Sequence, residues 1–239
     1  MRQMYAFFKY YFGLMIKDKV TMIWSVFFPL IIALMGYFPQ QDSFSNILDK
    51  QTYIYVFWAF ALNMIFINGI GTQFATIRQY GLLKTFYSLS GKKYPFIIAI
   101  VVAQLILGIG TISLITIVLG LFMKILSLDL LVHLMIYSIL IIPIAPAFLA
   151  ISFIPIRAES LTTIASILTI VMFFIAGNTS NNFFGIEWAN SVYFFRQMSL
   201  LLTSKSVNIV LFSITYILYI IVSVYSVLKV NINSKTNRT

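Results

Sequence analysis

Few residues in this chain could carry covalent or proton chemistry. Cysteine is absent, which excludes thiolate nucleophiles, disulfides and thiolate metal sites. One histidine, His133, and six acidic residues are all that 239 residues offer for acid–base work. No pair of carboxylates faces across a pocket, no Ser/His/Asp set can be assembled, and a single His makes no metal-ligand spacing. Catalysis by this chain is not expected, and neither is a cofactor. Ser90-Gly91-Lys92-Lys93 looks like the end of a phosphate-binding loop. That loop needs a Gly five positions before the Gly and a Ser or Thr after the Lys. Phe86 and Lys93 occupy those places, so ATP is not bound by this route.

The elements that must position any functional residue are membrane spans. The chain is 61% hydrophobic and 9% charged, with a mean hydropathy of +0.97. A soluble domain is about half apolar and about a quarter charged. The net charge of +10 does not describe a nucleic-acid surface, because the cations sit at the ends of apolar runs and form no continuous patch. Crossing the hydrocarbon takes about 20 apolar residues in a helix. Six stretches qualify: 21–38, 53–77, 95–123, 130–156, 161–177 and 207–228. Twelve cations fall on one side of these spans: Arg2, Lys9, Lys17, Lys19, Arg78, Lys84, Lys92, Lys93, Arg157, Lys229, Lys235 and Arg238. Four fall on the other: Lys50, Lys124, Arg196 and Lys205. The excess places both termini in the cytoplasm. The fifth stretch is short, and omitting it would put the basic tail 229–239 outside.

The loops carry more information than the spans. Residues 1–19 interleave aromatics with charge and do not read as a signal peptide. Met4, Phe8, Tyr11 or Phe12, and Met15 recur at helical spacing, which predicts an amphipathic helix in the membrane plane. In the second loop, Leu82, Phe86 and Leu89 fall at i, i+4, i+7 with Leu83 and Tyr87 beside them, and Lys84, Thr85 and Ser88 take the other face. The pattern predicts a short helix over 81–90, stopped by Gly91, with Pro95 opening the next span. Its apolar face can lie on anionic headgroups or enter a groove on another protein; the residues leave both open. His133, at the outer start of the fourth span, is expected to be a hydrogen-bonded structural residue. Asn63, Asn68 and Gln104 are expected to join helices. Ala99, Ala103 and Gly110 share a face of the third span that permits close packing. Pro143, Pro146 and Pro155 predict a bent fourth span. Thr162, Ser166 and Thr169 form a stripe in the fifth span: either hydroxyls bonding back to their own helix or a mildly polar pathway wall. Arg157 and Glu159, two apart, cannot face one another on a helix. Phe183, Phe184, Trp188, Tyr193, Phe194 and Phe195 crowd a segment, about 178–200, that is too aromatic to be solvated. It serves as an interfacial belt or an outer gate.

Taken in order, an amphipathic start, "KDKVTMIWSVFFPLIIAL" with a proline inside the first span, "QYGLLKTFYSLSG", "PIRAES", a hydroxyl-bearing fifth span and "NNFFGIEWANSVYFFRQ" resemble the membrane subunit (permease) of ABC transporters of the type 2 exporter family. The resemblance covers nearly the whole length. It implies that Gly81, Leu82, Leu83, Phe86, Tyr87 and Leu89 form a coupling helix that docks in a separate cytoplasmic ATPase, where ATP and Mg are held. It implies a route bordered by the first, second and fifth spans, which favours Thr162, Ser166 and Thr169 as part of its wall. From the residues themselves, Arg157 and Glu159 are expected to contact headgroups or, as a second cytoplasmic contact, the ATPase, each separately, and Phe183, Phe184, Trp188 and Phe194 are the residues an outer gate would use. Family members often carry acidic residues before the Gly and a Thr-Pro-like pair after the helix. Here Arg78-Gln79-Tyr80 and Ser88-Leu89-Ser90 stand in those positions.

The expected fold is all-α and integral to the membrane. Six transmembrane helices over 20–228 follow an interfacial helix over 1–19, both termini are cytoplasmic, and no second domain is marked. The expected role is the permease of an ATP-driven exporter in a bacterial plasma membrane, paired with a second permease copy, identical or related. Its cargo would be hydrophobic or amphipathic, a peptide toxin foremost, with a lipid or small drug as the alternative. A membrane-embedded immunity or sensor protein without transport stays open beside it. A membrane protease would need carboxylates or histidines at depth, which the sequence lacks.

Overall fold

The stretch around which the others pack begins at α3 (Ile47–Ile65), widens into a π-helical segment, Phe66–Thr72, and ends in α4 (Gln73–Gln79). In this computed structural model, which describes residues 2–44, 46–177, 186–203 and 207–230, it is the most deeply enclosed element. Tyr55, Trp58, Phe60 and Leu62 are buried on all sides of α3, and a helix apolar all round belongs in the middle of a bundle. Around it stand α1 (Arg2–Lys17) and α2 (Lys19–Gln40), then α5 (Leu82–Ser90), α6 (Tyr94–Phe122) and α7 (Leu128–Ile141). A 3₁₀ segment, Ala145–Phe153, follows, then α8 (Ala158–Gly177), a short turn at Ile186–Ala189, α9 (Ser191–Leu200) and α10 (Ile209–Lys229). Among the described residues there is no strand. Among the described residues, five helical stretches are long and apolar enough to cross a membrane, and six if α7 and the 3₁₀ segment form one span.

That pair is where a straight fourth span fails. α7 and the 3₁₀ segment are bent by 43°. Pro143 and Pro146 have no N–H to give to the carbonyls one turn back, so the α ladder cannot continue through them. The chain tightens instead: Ile142 donates to Ile139 O, Ile144 to Ile141 O, and Ala147 to Ile144 O. Pro155 lies beyond the segment, after Ile154 has turned extended.

The N-terminal helix does not present its expected stripe to lipid. Tyr11 and Met15 are buried, and Phe7, Phe8 and Phe12 pack against the core; of the predicted stripe only Met4 is exposed. Phe7 meets Phe96 of α6 at 5.7 Å between ring centres. Deeper, Tyr11 donates to Gln73 Oε1 at 2.6 Å and accepts from Gln104 Nε2 at 3.0 Å. The wall of α6 offers this face both packing and hydrogen bonds, which lipid tails cannot. Lys9 and Lys17 stay exposed, as do Tyr5, Tyr10, Leu14 and Ile16.

Two glycines set the π segment. A Cβ on Gly69 would lie 2.2 Å from Gln104 Oε1, and one on Gly71 would lie 2.9 Å from Ile151 Cβ and 3.0 Å from Phe148 O. α6 and the 3₁₀ segment approach the backbone there from two directions. On α6, Ala99 and Ala103 are buried as expected of a packing face, whereas Gly110 is exposed and faces open space. Gly108 provides the next close approach, with Leu62 Cδ2 at 2.8 Å from its would-be Cβ. In Gly71→Ala the Ile151 Cδ1 tip at 3.0 Å could turn aside, but Ile151 Cβ at 2.9 Å and the Phe148 carbonyl at 3.0 Å could not. The substitution should cost about 1–3 kcal/mol, as overpacking does, read as a lower unfolding temperature in detergent.

Candidate functional site

The bundle has two distinct ends, and the elements with functional character lie at one end and along one side. α5 marks the first end. It is bounded by Gly81 (φ 76°) and Gly91 (φ 67°), both left-handed, a backbone that glycine adopts at little cost. Between them the helix has two unlike faces. Leu83 is 1% exposed. Phe86 is half-buried, with ring centres 4.4 Å from Phe96, 5.5 Å from Phe7 and 5.8 Å from Tyr10. Leu82, Tyr87 and Leu89 face outwards, Leu89 at 72% exposure. The predicted Leu82–Phe86–Leu89 face is therefore divided: α1 takes Phe86, and Leu82 and Leu89 remain.

Three polar side chains that the sequence reading did not select fasten this platform. Arg78 is buried and donates through Nη2 to Ser152 O at the end of the 3₁₀ segment. Gln79 Oε1 accepts from the N–H of Ala158, the first residue of α8, at 2.6 Å. Lys93 Nζ donates to Leu228 O at 2.7 Å and Val230 O at 2.9 Å, at the end of α10. Their one sequence signal was position, each lying next to the loop helix at the end of an apolar run. Arg157 and Glu159 lie beside this junction and are exposed.

Along one side, an apolar groove of about 390 Å³ opens between α8 and α10. Leu168 and Met172 of α8 and Leu218 and Val222 of α10 form its walls. Ile67 of the π segment, with Phe148 and Ile151, lies behind them, and Trp188 lies at one end. The hydroxyl stripe does not line it. Thr162 is exposed and donates to Ala158 O at 2.8 Å. Thr169 is 1% exposed and donates to Ala165 O at 2.8 Å. Ser166 turns to Asn68 Oδ1 at 3.4 Å. Two of the three hydroxyls thus satisfy their own helix, and the third joins α8 to the π segment. Leu, Met and Val at helical spacing look the same in a core and in a binding wall, so these residues carry no signal of a groove in the sequence.

At the second end, α9 is enclosed by the spans. Phe194 and Phe195 are fully buried. Phe194 stacks on Tyr219 at 4.6 Å and on Phe212 at 5.6 Å, and Phe195 lies 6.1 Å from Phe66. Asn190 caps α9, accepting from Val192 N at 2.9 Å, and donates to Met172 O at 2.8 Å. Ser191 donates to Asn63 Oδ1. Arg196 Nη1 reaches Ala176 O, near the end of α8, at 2.8 Å. Burial lowers the Arg196 pKa. Burial, then Glu187, raises that of the Tyr193 phenol. Of the expected gate residues, Trp188 is half-buried against Tyr193 at 5.5 Å, Phe194 is a core residue, and Phe183 and Phe184 lie outside the described residues. His133 Nδ1 lies 2.6 Å from the Tyr55 hydroxyl. Among the described residues, no group of three or more His, Asp or Glu could hold a metal ion.

No family profile, curated protein or solved structure matches the chain.

The stripe makes a differential prediction in a chain that has no cysteine. Thr162→Cys should react with a small aqueous thiol reagent in detergent solution, and Thr169→Cys should react at least about tenfold more slowly because its sulfur is enclosed. Equal rates would show that α8 turns a different face to the bundle.

Proposed function

We propose that this multi-pass membrane chain is the permease subunit of an ATP-driven exporter, working with a separate cytoplasmic ATPase and a second permease copy in a bacterial plasma membrane. The observation that carries this is the form of α5. A nine-residue helix held inwardly by Leu83 and Phe86 presents Leu82, Tyr87 and Leu89 outwards, and has cords on both sides to three other spans. A helix of that kind can take a load from a partner and pass it on. The twelve-to-four distribution of cations supports a cytoplasmic position for this end, where an ATPase could dock. The chain brings no nucleotide-binding motif of its own, so hydrolysis is assigned to the partner.

In this mechanism the ATPase pair closes on ATP and displaces α5. Arg78 carries the motion to the 3₁₀ segment, Gln79 to α8, and Lys93 to α10. The groove lies between the last two, so its width follows the platform. Its apolar walls suit a hydrophobic or amphipathic cargo, foremost a membrane-active peptide, and suit a hydrated ion poorly. In this reading Arg157 and Glu159, exposed beside the junction, serve as the second contact for the ATPase.

Two predictions separate docking from transmission. Burying one large apolar side chain stabilises an interface by about 1.5–3 kcal/mol. Leu82→Asp with Leu89→Asp should therefore abolish co-purification of the ATPase while the bundle stays folded, and full retention would exclude α5 as the dock. Arg78→Gln leaves the outer face untouched and removes a charge-assisted bond of about 1.5–3 kcal/mol. In liposomes holding permease and ATPase, it should keep the partner bound yet lower peptide-stimulated hydrolysis severalfold. Stimulation by a lipid or small drug and not by peptides would change the cargo class and leave the exporter assignment in place.

A further inference from the structure

The end of α5, the start of α6 and the end of α10 enclose a second cavity, of about 470 Å³, open on one side. Tyr87, Gly91, Lys92, Lys93, Tyr94 and Lys229 are among its lining residues, and no acidic residue is among the described residues that line it. From its lining and position we propose that it binds the phosphate of an anionic phospholipid.

A helix C-terminus is ordinarily a poor place for an anion, because its unpaired carbonyls carry partial negative charge. Here those carbonyls are taken. Lys93 Nζ satisfies Leu228 O and Val230 O of α10. On α5, the single Ser90 hydroxyl proton serves either Phe86 O at 2.8 Å or Lys92 O at 2.6 Å, and the N–H of Gly91 donates to Tyr87 O at 2.8 Å. Lys92 and Lys229 are exposed, and their ammonium groups make no hydrogen bond or ion pair among the described residues. Two cations without a partner among the described residues thus border a cavity in which Leu228 O, Val230 O and Tyr87 O already accept hydrogen bonds. That arrangement fits one or two phosphate oxygens.

The position favours a lipid over free phosphate. α6 and α10 are both apolar enough to cross a membrane, and the cavity lies where one begins and the other ends. Tyr87 and Tyr94 flank it, and tyrosine is at home at the headgroup level. Basic pockets between spans on the cytoplasmic side suit acidic headgroups. An occupied site would tie α5 to α10 through the lipid as well as through Lys93.

The full-length chain, purified into mild detergent with equal phosphatidylglycerol and phosphatidylcholine, should retain phosphatidylglycerol selectively by native mass spectrometry. Lys92→Gln with Lys229→Gln should reduce that retention by about twenty-five-fold, since each basic residue at the surface contributes roughly fivefold. Lys84→Gln, exposed on α5 outside the cavity, should change nothing. The unfolding temperature in phosphatidylcholine alone should be the same for all three proteins. Equal retention of the two lipids, an unchanged double variant, or an equal loss in Lys84→Gln would overturn the site. Displacement of the bound lipid by inorganic phosphate would assign it to free phosphate and overturn the lipid.

Discussion

A helix that ends among apolar neighbours leaves carbonyl groups without partners, and in this chain cations supply them. Lys50 Nζ donates to Met123 O after α6, Arg78 to Ser152 O in the 3₁₀ segment, Arg196 to Ala176 O near the end of α8, and Lys93 to Leu228 O and Val230 O at the end of α10. Each pairing meets two needs, in settings that run from buried at Arg78 to exposed at Lys93. The carbonyls are satisfied, and a positive group meets the negative end of a helix dipole. In every case the cation belongs to a different element from the carbonyl. These bonds therefore fix which helix ends lie together, and the up-and-down order of the bundle follows. An excess of sixteen basic over six acidic residues has a structural use here in addition to orientation.

The interior obeys the same requirement with neutral groups. Tyr11, Gln73 and Gln104 form one cluster beside Gly69. Ser166 reaches Asn68, Ser191 reaches Asn63, and the Trp58 indole reaches Thr116 at 2.9 Å. Between transmembrane helices such bonds average about 0.6 kcal/mol each, so they direct the packing more than they drive it. Most of them meet on α3 and the π segment. A π turn is an irregularity that helices commonly carry at functional positions. Here Gly69 and Gly71 let two neighbours approach the backbone, so the central span is held from α6 and from the 3₁₀ segment at nearly one level.

What was legible in the sequence was whatever repeats along one helix. Span length, the loop helix with its glycine stop, and the proline break in the fourth span all follow from local pattern. The boundaries moved where the chain itself interrupts the pattern, as at Pro143 and Pro146. What periodicity could not supply was the identity of the neighbour across each face. The stripe Phe8–Tyr11–Met15 is the same on paper whether it meets lipid or α6. Gln104 decides the matter, and it lies 93 positions away from Tyr11. Phe86 was grouped with Leu82 and Leu89 by its spacing, yet Phe7 and Tyr10 draw it inwards. Thr162, Ser166 and Thr169 share a stripe, but two have a carbonyl of their own helix within reach. The groove between α8 and α10 comes from the placement of two apolar helices on either side of a bend, and no residue type announces it.

The fastenings at the two ends of the groove differ, and the difference bears on how it could move. At the α9 end, α8 is held by Asn190 on Met172 O and Arg196 on Ala176 O, while α10 is held by the stacking of Phe212 and Tyr219 on Phe194. Both walls are thus pinned to one short, buried helix. Towards the other end α10 packs on the 3₁₀ segment, with Ser223 donating to Ile144 O at 3.2 Å, and beyond it α8 is joined to the platform by Gln79 and α10 by Lys93, on opposite sides of α5. A rotation of α5 would draw these two attachments in different directions while α9 kept the far ends together. Under the exporter proposal the groove would then open from the cytoplasmic end as a wedge, with α9 as its hinge. Cargo would enter where the walls part and press towards Trp188, and the aromatic contacts there would have to yield last.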